Sequence, residues 1–201
     1  MDAQFAGRLP TCIVGVISSR ASAVGLARAQ AAGIPTACIE PAGFTDRSAF
    51  DAALSEQIEA WQADWVVLAG FMRILTPAFT ARYAGKLLNI HPSLLPRHPG
   101  LHTHAAALAA GDLEHGATVH FVTEALDGGP RIIQGTLSVQ PHDDPSSLAD
   151  KVMVDIEQRI YPQALAWAVA GRLQMKGPDT VTFNGQPLTA PLTLAHLEPG
   201  F

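Results

Sequence analysis

Short apolar runs alternate with longer helix-like segments along most of this 201-residue chain. Runs rich in β-branched residues, such as 12–18 and 65–69, are typical of strands buried on both faces of a sheet. Between such runs, residues 22–32 and 47–62 carry apolar side chains at helical spacing. The alternation predicts βαβ units, and therefore an α/β fold with a mostly parallel sheet that helices cover on both faces.

The remaining segments extend this pattern to the C-terminus. Further strands are predicted at 36–39, 86–90, 117–123 and 131–139, and further helices at 76–83, 103–110 and 146–170. We expect Pro162 to break the last helix locally. Asn184 and Gly185 lie between apolar stretches and predict a C-terminal hairpin. Since no linker-like stretch divides the chain, we expect a single domain over residues 1–201.

Composition and charge exclude several classes of protein. The 13 basic residues are scattered and the net charge is −5, which argues against a nucleic-acid partner. The longest apolar stretch, 65–75, is interrupted by Arg73 and is shorter than the roughly 20 residues of a membrane helix. Two cysteines are too few for a disulfide framework, and the N-terminus has no secretory signal. We therefore expect a cytoplasmic protein without a membrane partner.

Histidines are concentrated in the middle of the chain. They include His91, His98, His102, His104 and His120. A metal ion would need ligands that face one point, but His102 and His104 at a helix start do not share a face. No acidic or thiol residue follows a metal-site spacing either. We expect no metal site.

Asn89 and His91 differ from the other polar residues because they end a predicted strand and lie on the same side of it. An amide donor beside an imidazole suits the stabilisation of negative charge on a carbonyl oxygen under attack, and the imidazole can also move a proton. Asp127 opens a Gly-Gly-Pro turn, and a carboxylate near His91 would favour the protonated imidazole. With no Ser or Cys nucleophile in this set, the residues favour direct group transfer over a covalent enzyme intermediate.

Five sequence blocks resemble the phosphoribosylglycinamide formyltransferase family. They are LAGFMRIL at 68–75, NIHPSLLP at 89–96, GLHTH at 100–104, HGATVHFV at 115–122 and LDGGP at 126–130. The resemblance runs from about residue 12 to residue 172. It implies a Rossmann-like formyltransferase that transfers the formyl group of 10-formyltetrahydrofolate to the amine of glycinamide ribonucleotide, in purine synthesis. Both substrates are small molecules, and we expect a monomer or a weak homodimer.

The resemblance also assigns site residues, position by position. Asn89, His91 and Asp127 match the family's catalytic trio. The residues that match its folate pocket are Arg47, Met72, Arg73, Ile74, Leu75, Asn89, Thr123, Glu124, Ala125, Leu126 and Asp127. Glu157 matches a ribonucleotide contact, although the local spacing is one residue longer than in the family, and Gln158 replaces a histidine of the family pattern.

The N-terminus departs from the family pattern. The family begins with a strand and a glycine-rich loop that holds the nucleotide phosphate, and residues 1–10 match neither; they resemble the end of the first helix. We expect the loss of this interior strand to leave apolar sheet face and unpaired strand edges, which favour aggregation.

A folate-binding remnant without transferase activity is therefore an alternative. A formyltetrahydrofolate deformylase is another, although that enzyme normally adds an N-terminal regulatory domain. Methionyl-tRNA formyltransferase fits less well, because it needs a C-terminal RNA-binding domain.

Overall fold

Strands and helices alternate through the first half of the chain, in the order that the sequence predicts. The computed structural model describes residues 1–201, apart from the side chain of Phe5. The strands are β1 (Val16–Ser18), β2 (Thr36–Cys38), β3 (Val66–Leu68), β4 (Leu87–His91), β5 (Glu114–Phe121), β6 (Arg131–Ser138), β7 (Leu173–Met175), β8 (Val181–Phe183) and β9 (Gln186–Pro187). The α-helices are α1 (Asp2–Phe5), α2 (Val24–Ala31), α3 (Arg47–Ala60), α4 (Pro77–Arg82), α5 (Thr103–Ala109), α6 (Pro145–Val152) and α7 (Gln158–Val169).

The strands form three sheets. The central sheet has the order β3-β4-β5-β6, a second sheet pairs β1 with β2, and the tail forms a third with the order β7-β8-β9. Pairing is parallel between β1 and β2 and between β3 and β4. The α/β class is confirmed, and β8 and β9 form the predicted C-terminal hairpin.

The predicted parallel arrangement applies to the strands before β5. β5 runs antiparallel to β4, and β6 runs antiparallel to β5. The short connection between β5 and β6 contains the turn that starts at Asp127, and a connection of this length can join only antiparallel neighbours. The strand-and-helix alternation does not reveal this reversal.

Two apolar clusters hold the layers together. In the larger one, α7 and the π-helical residues before it pack on the central sheet, with Trp167, Ile156 and Phe121 all buried. The smaller one is built on α3, whose Phe50, Leu54 and Ile58 are buried together with Phe79 and Leu87. Among the helices of the described residues, none has the length and apolarity that a membrane crossing requires.

The small sheet and the central sheet both lie against α3 but are not hydrogen-bonded to each other. Ile17 of β1 and Leu68 of β3 both pack against the α3 cluster. Within residues 1–201, no strand pairs with the second edge of β1 or of β3. These two strand edges are therefore open within the described residues.

The long C-terminal helix is interrupted earlier than the sequence predicts. Residues Met153–Glu157 are π-helical, and Pro162 lies inside the regular helix α7 that follows. The amide of Gln158 bonds to the carbonyl of Met153, five residues back, so this turn holds one more residue than an α-turn. Glu157 is the last residue of this π-helical segment.

The unpaired edge of β3 generates a prediction about self-association. The amide of Val66 bonds to the carbonyl of Lys86, the residue before β4, so the main-chain groups of Val67 point towards the open edge. The Val67 side chain is 40% exposed. Because a charged side chain blocks edge-to-edge pairing, Val67→Lys should reduce concentration-dependent association in light scattering and sedimentation.

The matched control for Val67→Lys is Val24→Lys, at a valine that is 74% exposed on α2. We expect the control to associate like the parent protein. Equal association of all three proteins would show that the open edge does not drive it.

Candidate active site

Strand β4 brings the first two candidate residues to the site. Asn89 and His91 alternate with the buried Leu88 and Ile90, so their side chains project from the opposite face of the sheet. The antiparallel register sets Asn89 opposite His120 and His91 opposite Thr118. Directly opposed side chains of two strands lie close enough to interact. One face of the β4–β5 pair is therefore a buried polar surface inside an otherwise apolar sheet.

The third residue, Asp127, reaches this surface from the turn between β5 and β6. Its φ of +49° is in the left-handed region, and Gly129 follows where a Cβ atom would lie 2.0 Å from the carbonyl oxygen of Phe121. The turn therefore depends on glycine at 129. Asp127 Oδ2 is 3.5 Å from His91 Nδ1 and accepts a hydrogen bond of 2.8 Å from the amide of Gly100.

The hydrogen bonds of His91 define the roles of its two ring nitrogens. Nε2 is 2.9 Å from the carbonyl oxygen of His98, and because a carbonyl only accepts, Nε2 carries a hydrogen. Nδ1 is then the nitrogen that gains or loses a proton, beside the Asp127 carboxylate. The 3.5 Å separation exceeds an ordinary hydrogen bond, so an Nδ1 proton is attracted by Asp127 without being bound to it.

His120 orients the amide of Asn89. Its Nδ1 donates to the carbonyl of Phe121 at 2.9 Å, which leaves Nε2 as an acceptor, 3.2 Å from Asn89 Nδ2. Burial lowers the pKa of His120, so the neutral ring that this arrangement needs is favoured. The Asn89 amide nitrogen therefore faces His120, and a β-bulge between Val119 and His120 adjusts the strand at this point.

The loop after β4 is held by buried polar contacts. Thr118 Oγ1 donates to the Ser93 carbonyl at 2.7 Å and accepts from the amide of Leu95 at 3.1 Å. Gln134 Nε2 bonds to both Thr118 Oγ1 and the Leu95 carbonyl. Ser93 Oγ donates to the carbonyl of Arg97 at 2.7 Å. Ser93 thus holds the loop, whereas His120 contacts a residue of the site.

A second pair of histidines lies beside this site. His104 Nδ1 and His115 Nε2 are 2.9 Å apart, and the rings meet edge to face. Burial, followed by the charge of His104, lowers the pKa of His115 to about 4, so this ring is neutral at physiological pH. Among the described residues, no three His, Cys, Asp or Glu side chains are grouped closely enough to hold a metal ion.

Two loops carry the residues that match a folate pocket. Met72, Ile74 and Leu126 are 65%, 55% and 57% exposed, which is unusual for large apolar side chains and indicates a surface for an apolar ligand. Arg73 lies over the ring of Phe50 at 5.2 Å. The exposed residues of the second loop are Glu124, Ala125 and Leu126, whereas Thr123, Asp127 and, in the first loop, Leu75 are partly buried.

The positions of Arg47 and Glu157 differ in their surroundings. Arg47 is exposed at the first position of α3, directly after the Asp46 side chain that caps the helix. Glu157 is partly buried, and burial raises its pKa. It lies one turn before Tyr161, whose hydroxyl donates to the carbonyls of Leu68 and Leu88. Glu157 therefore lies near the carboxyl end of β3.

Together, these groups can stabilise an oxyanion and move a proton. Asn89 supplies an amide donor of fixed orientation, His91 a protonatable nitrogen and Asp127 a carboxylate, all at a mostly buried polar surface. In a low-dielectric pocket such groups act more strongly than they would in water.

Comparisons with known proteins identify the family of the chain. A family model described as Formyl transferase matches residues 1–165. The chain belongs to the formyl transferase family. The phosphoribosylglycinamide formyltransferase of Escherichia coli K12 is 48% identical over 188 residues, which cover 94% of this chain and 88% of the relative.

Solved structures support the same membership. The phosphoribosylglycinamide formyltransferase of Coxiella burnetii, in complex with CHES, has a TM-score of 0.89 at 44% identity, covering 96% of this chain and 90% of the other. A formyltetrahydrofolate deformylase of Burkholderia mallei has a TM-score of 0.79 at 31% identity, covering 90% of this chain and 63% of the other.

Sequence reasoning brought together the three residues that the structure places at the site, but missed the groups that orient them. These are the His98 carbonyl, the Gly100 amide, Thr118 and the acceptor nitrogen of His120. The register of β4 against β5 is the signal that could have identified His120 and Thr118.

The contact between His120 and Asn89 generates a prediction. His120→Ala removes the acceptor that orients the Asn89 amide, and we expect kcat for formyl transfer to fall by about 10²-fold, as for a small misplacement of a reacting group. The loss of a buried hydrogen bond should also lower the free energy of unfolding by about 1–3 kcal/mol.

Gln163→Ala is the control for this loss of stability. Gln163 is fully buried in α7, and its Oε1 accepts from the amide of Glu198. We expect a similar loss of stability in this variant with kcat unchanged. If kcat falls equally in both variants, the orienting role of His120 is wrong.

Proposed function

We propose that this chain transfers the formyl group of 10-formyltetrahydrofolate to the primary amine of glycinamide ribonucleotide, a step of purine biosynthesis. The observation that carries the proposal is the convergence of Asn89, His91 and Asp127 at the end of β4, with 3.5 Å between His91 and Asp127. The high identity to enzymes of this name supports the choice of substrates.

In the proposed reaction the amine nitrogen attacks the formyl carbon directly. The carbonyl oxygen becomes an oxyanion, which accepts hydrogen bonds from Asn89 Nδ2 and from a protonated His91 Nδ1. Asp127 accepts the proton that the amine loses, through a water molecule. The bond between the formyl carbon and the folate nitrogen then breaks, and that nitrogen takes up a proton as tetrahydrofolate leaves.

We assign the folate to the loops at 72–75 and 123–127. The exposed side chains of Met72, Ile74 and Leu126 suit the flat ring system of a pterin, and main-chain groups of the loops suit its polar edge. The same loops also contain Arg73, Thr123, Glu124 and Ala125. Arg47 suits the glutamate carboxylate at the other end of the folate.

We assign Glu157 to the ribonucleotide. Its position near the carboxyl end of β3 agrees with the end of the sheet at which ligands bind in α/β proteins. A carboxylate there can accept hydrogen bonds from the amine or the ribose hydroxyls. Two small substrates need no second chain, and we propose a monomer or a weak homodimer.

Hydrolysis of 10-formyltetrahydrofolate is the competing activity, because the deformylase shares the fold. It is less favoured, since this chain covers only 63% of that enzyme and 88% of the transferase of E. coli.

The test incubates the purified chain with 10-formyltetrahydrofolate, with and without glycinamide ribonucleotide. Formylated ribonucleotide in amounts equal to the tetrahydrofolate released supports the proposal. Release of formate independent of the ribonucleotide would identify a hydrolase, and folate binding with neither product would identify a folate-binding protein without activity.

The proposed role of His91 generates a prediction. His91→Ala removes the protonated donor to the oxyanion, and we expect kcat to fall by about 10²- to 10⁴-fold. The Kd for a non-transferable folate analogue, measured by calorimetry, should change little because the apolar folate surface is untouched. Undiminished turnover in this variant would contradict the assignment.

A further inference from the structure

The short loop Arg97-His98-Pro99-Gly100 contacts both members of the His91–Asp127 pair. The carbonyl of His98 accepts from His91 Nε2 at 2.9 Å, and the amide of Gly100 donates to Asp127 Oδ2 at 2.8 Å. These contacts fix the ring orientation of one residue and the position of the other. The conformation of this loop therefore determines the geometry of the pair.

The loop is in turn held by Asp112, which lies in the turn between α5 and β5. His98 Nε2 is 2.7 Å from Asp112 Oδ2, and Arg97 forms an ion pair with Asp112 Oδ1. The Asp112 side chain is only 8% exposed. The hydrogen bond from His98 has the largest effect and lowers the pKa of this carboxyl group. Burial acts in the opposite direction, and the charge of Arg97 lowers the pKa further. Asp112 is therefore ionised at neutral pH.

The backbone at His98 needs such support. Its φ of +51° is in the left-handed region, which is unfavourable for a residue with a Cβ atom. The bond from its side chain to Asp112 offsets this cost while the carbonyl points at His91. A surface ion pair alone would have little effect on the site. Here the same residue contacts Asp112 through its side chain and His91 through its main chain.

We propose that Asp112 is a positioning residue for formyl transfer, acting through His98 to keep the hydrogen of His91 on Nε2 and to leave Nδ1 beside Asp127 for the proton that reacts. Asp112 does not touch the substrates. The inference rests on the proposed function for its kinetic part, and on the structure alone for its effect on His91.

The experiment compares three single variants and one double variant of the full chain. Asp112→Asn weakens the bond to His98, His98→Ala removes the side chain but keeps the carbonyl, and Arg97→Ala removes the other partner of Asp112. We expect kcat to fall about 10-fold in Asp112→Asn and in His98→Ala, with KM for the folate within twofold of the parent. The double variant His98→Ala/Asp112→Asn should be no worse than either single variant, because both act through one contact.

Arg97→Ala is the matched control, because it leaves the bond between His98 and Asp112 in place. We expect its kcat to stay within twofold of the parent. Asp112→Glu should restore part of the activity that Asp112→Asn loses, since it keeps the charge.

A spectroscopic measurement separates positioning from a general loss of stability. In the parent, ¹⁵N NMR of the neutral His91 side chain, recorded at alkaline pH, should show the hydrogen on Nε2 alone. In His98→Ala and Asp112→Asn we expect a mixture of two tautomers of His91, one with the hydrogen on Nε2 and one with the hydrogen on Nδ1. If Asp112→Asn fails to fold, His98→Ala alone decides the test.

Two results would overturn the proposal. One is an unchanged His91 spectrum in folded His98→Ala and Asp112→Asn, and the other is an equal loss of kcat in Arg97→Ala. Absence of formyl transfer in the parent protein would instead refute the proposed function, and the NMR comparison would still decide whether Asp112 positions His91.

Discussion

The register between β4 and β5 is the constraint on which the candidate site depends. It sets Asn89 opposite His120 and His91 opposite Thr118, while Leu88 and Phe121 face the apolar core on the other side. A shift of one residue would move every side chain of a strand to the opposite face. It would bury the polar groups among apolar side chains and break all the contacts that orient them. The apolar core of the sheet and the polar site therefore stabilise the same register.

Each ring at the site has its hydrogen positions set by a main-chain carbonyl. The Phe121 carbonyl makes His120 an acceptor for Asn89, and the His98 carbonyl makes His91 Nε2 a donor. These main-chain groups belong to a strand and to a loop that hydrogen bonds hold in place, so they move less than side chains. They can therefore keep the two rings in a reactive orientation before the substrates bind. The only mobile proton of the His91–Asp127 pair is then the one on His91 Nδ1, which faces the Asp127 carboxylate. This division between fixed and mobile hydrogens suits a site that must donate to an oxyanion during the reaction.

The sequence predicted the order of elements, the strand that carries Asn89 and His91, and the tail hairpin, because each depends on local periodicity or turn chemistry. It did not predict the antiparallel addition of β5 and β6 or the contact between Asn89 and His120, which are 31 positions apart and meet only through strand register. The π-turn before Gln158 was also missed, since one wider turn leaves the apolar pattern of a helix almost unchanged. The separation of the two sheets was not predicted, because local pattern does not specify which strands are neighbours.

The central claim is that Asn89, His91 and Asp127 act as one unit on the same oxyanion. The most direct test measures kcat for Asn89→Ala, His91→Ala and Asp127→Asn singly, and then for the triple variant. If the three groups act together, the triple variant should lose about as much activity as the most damaging single change, since a unit fails when any member is removed. A loss in the triple variant equal to the product of the three single losses would contradict the account, because the residues would then contribute independently.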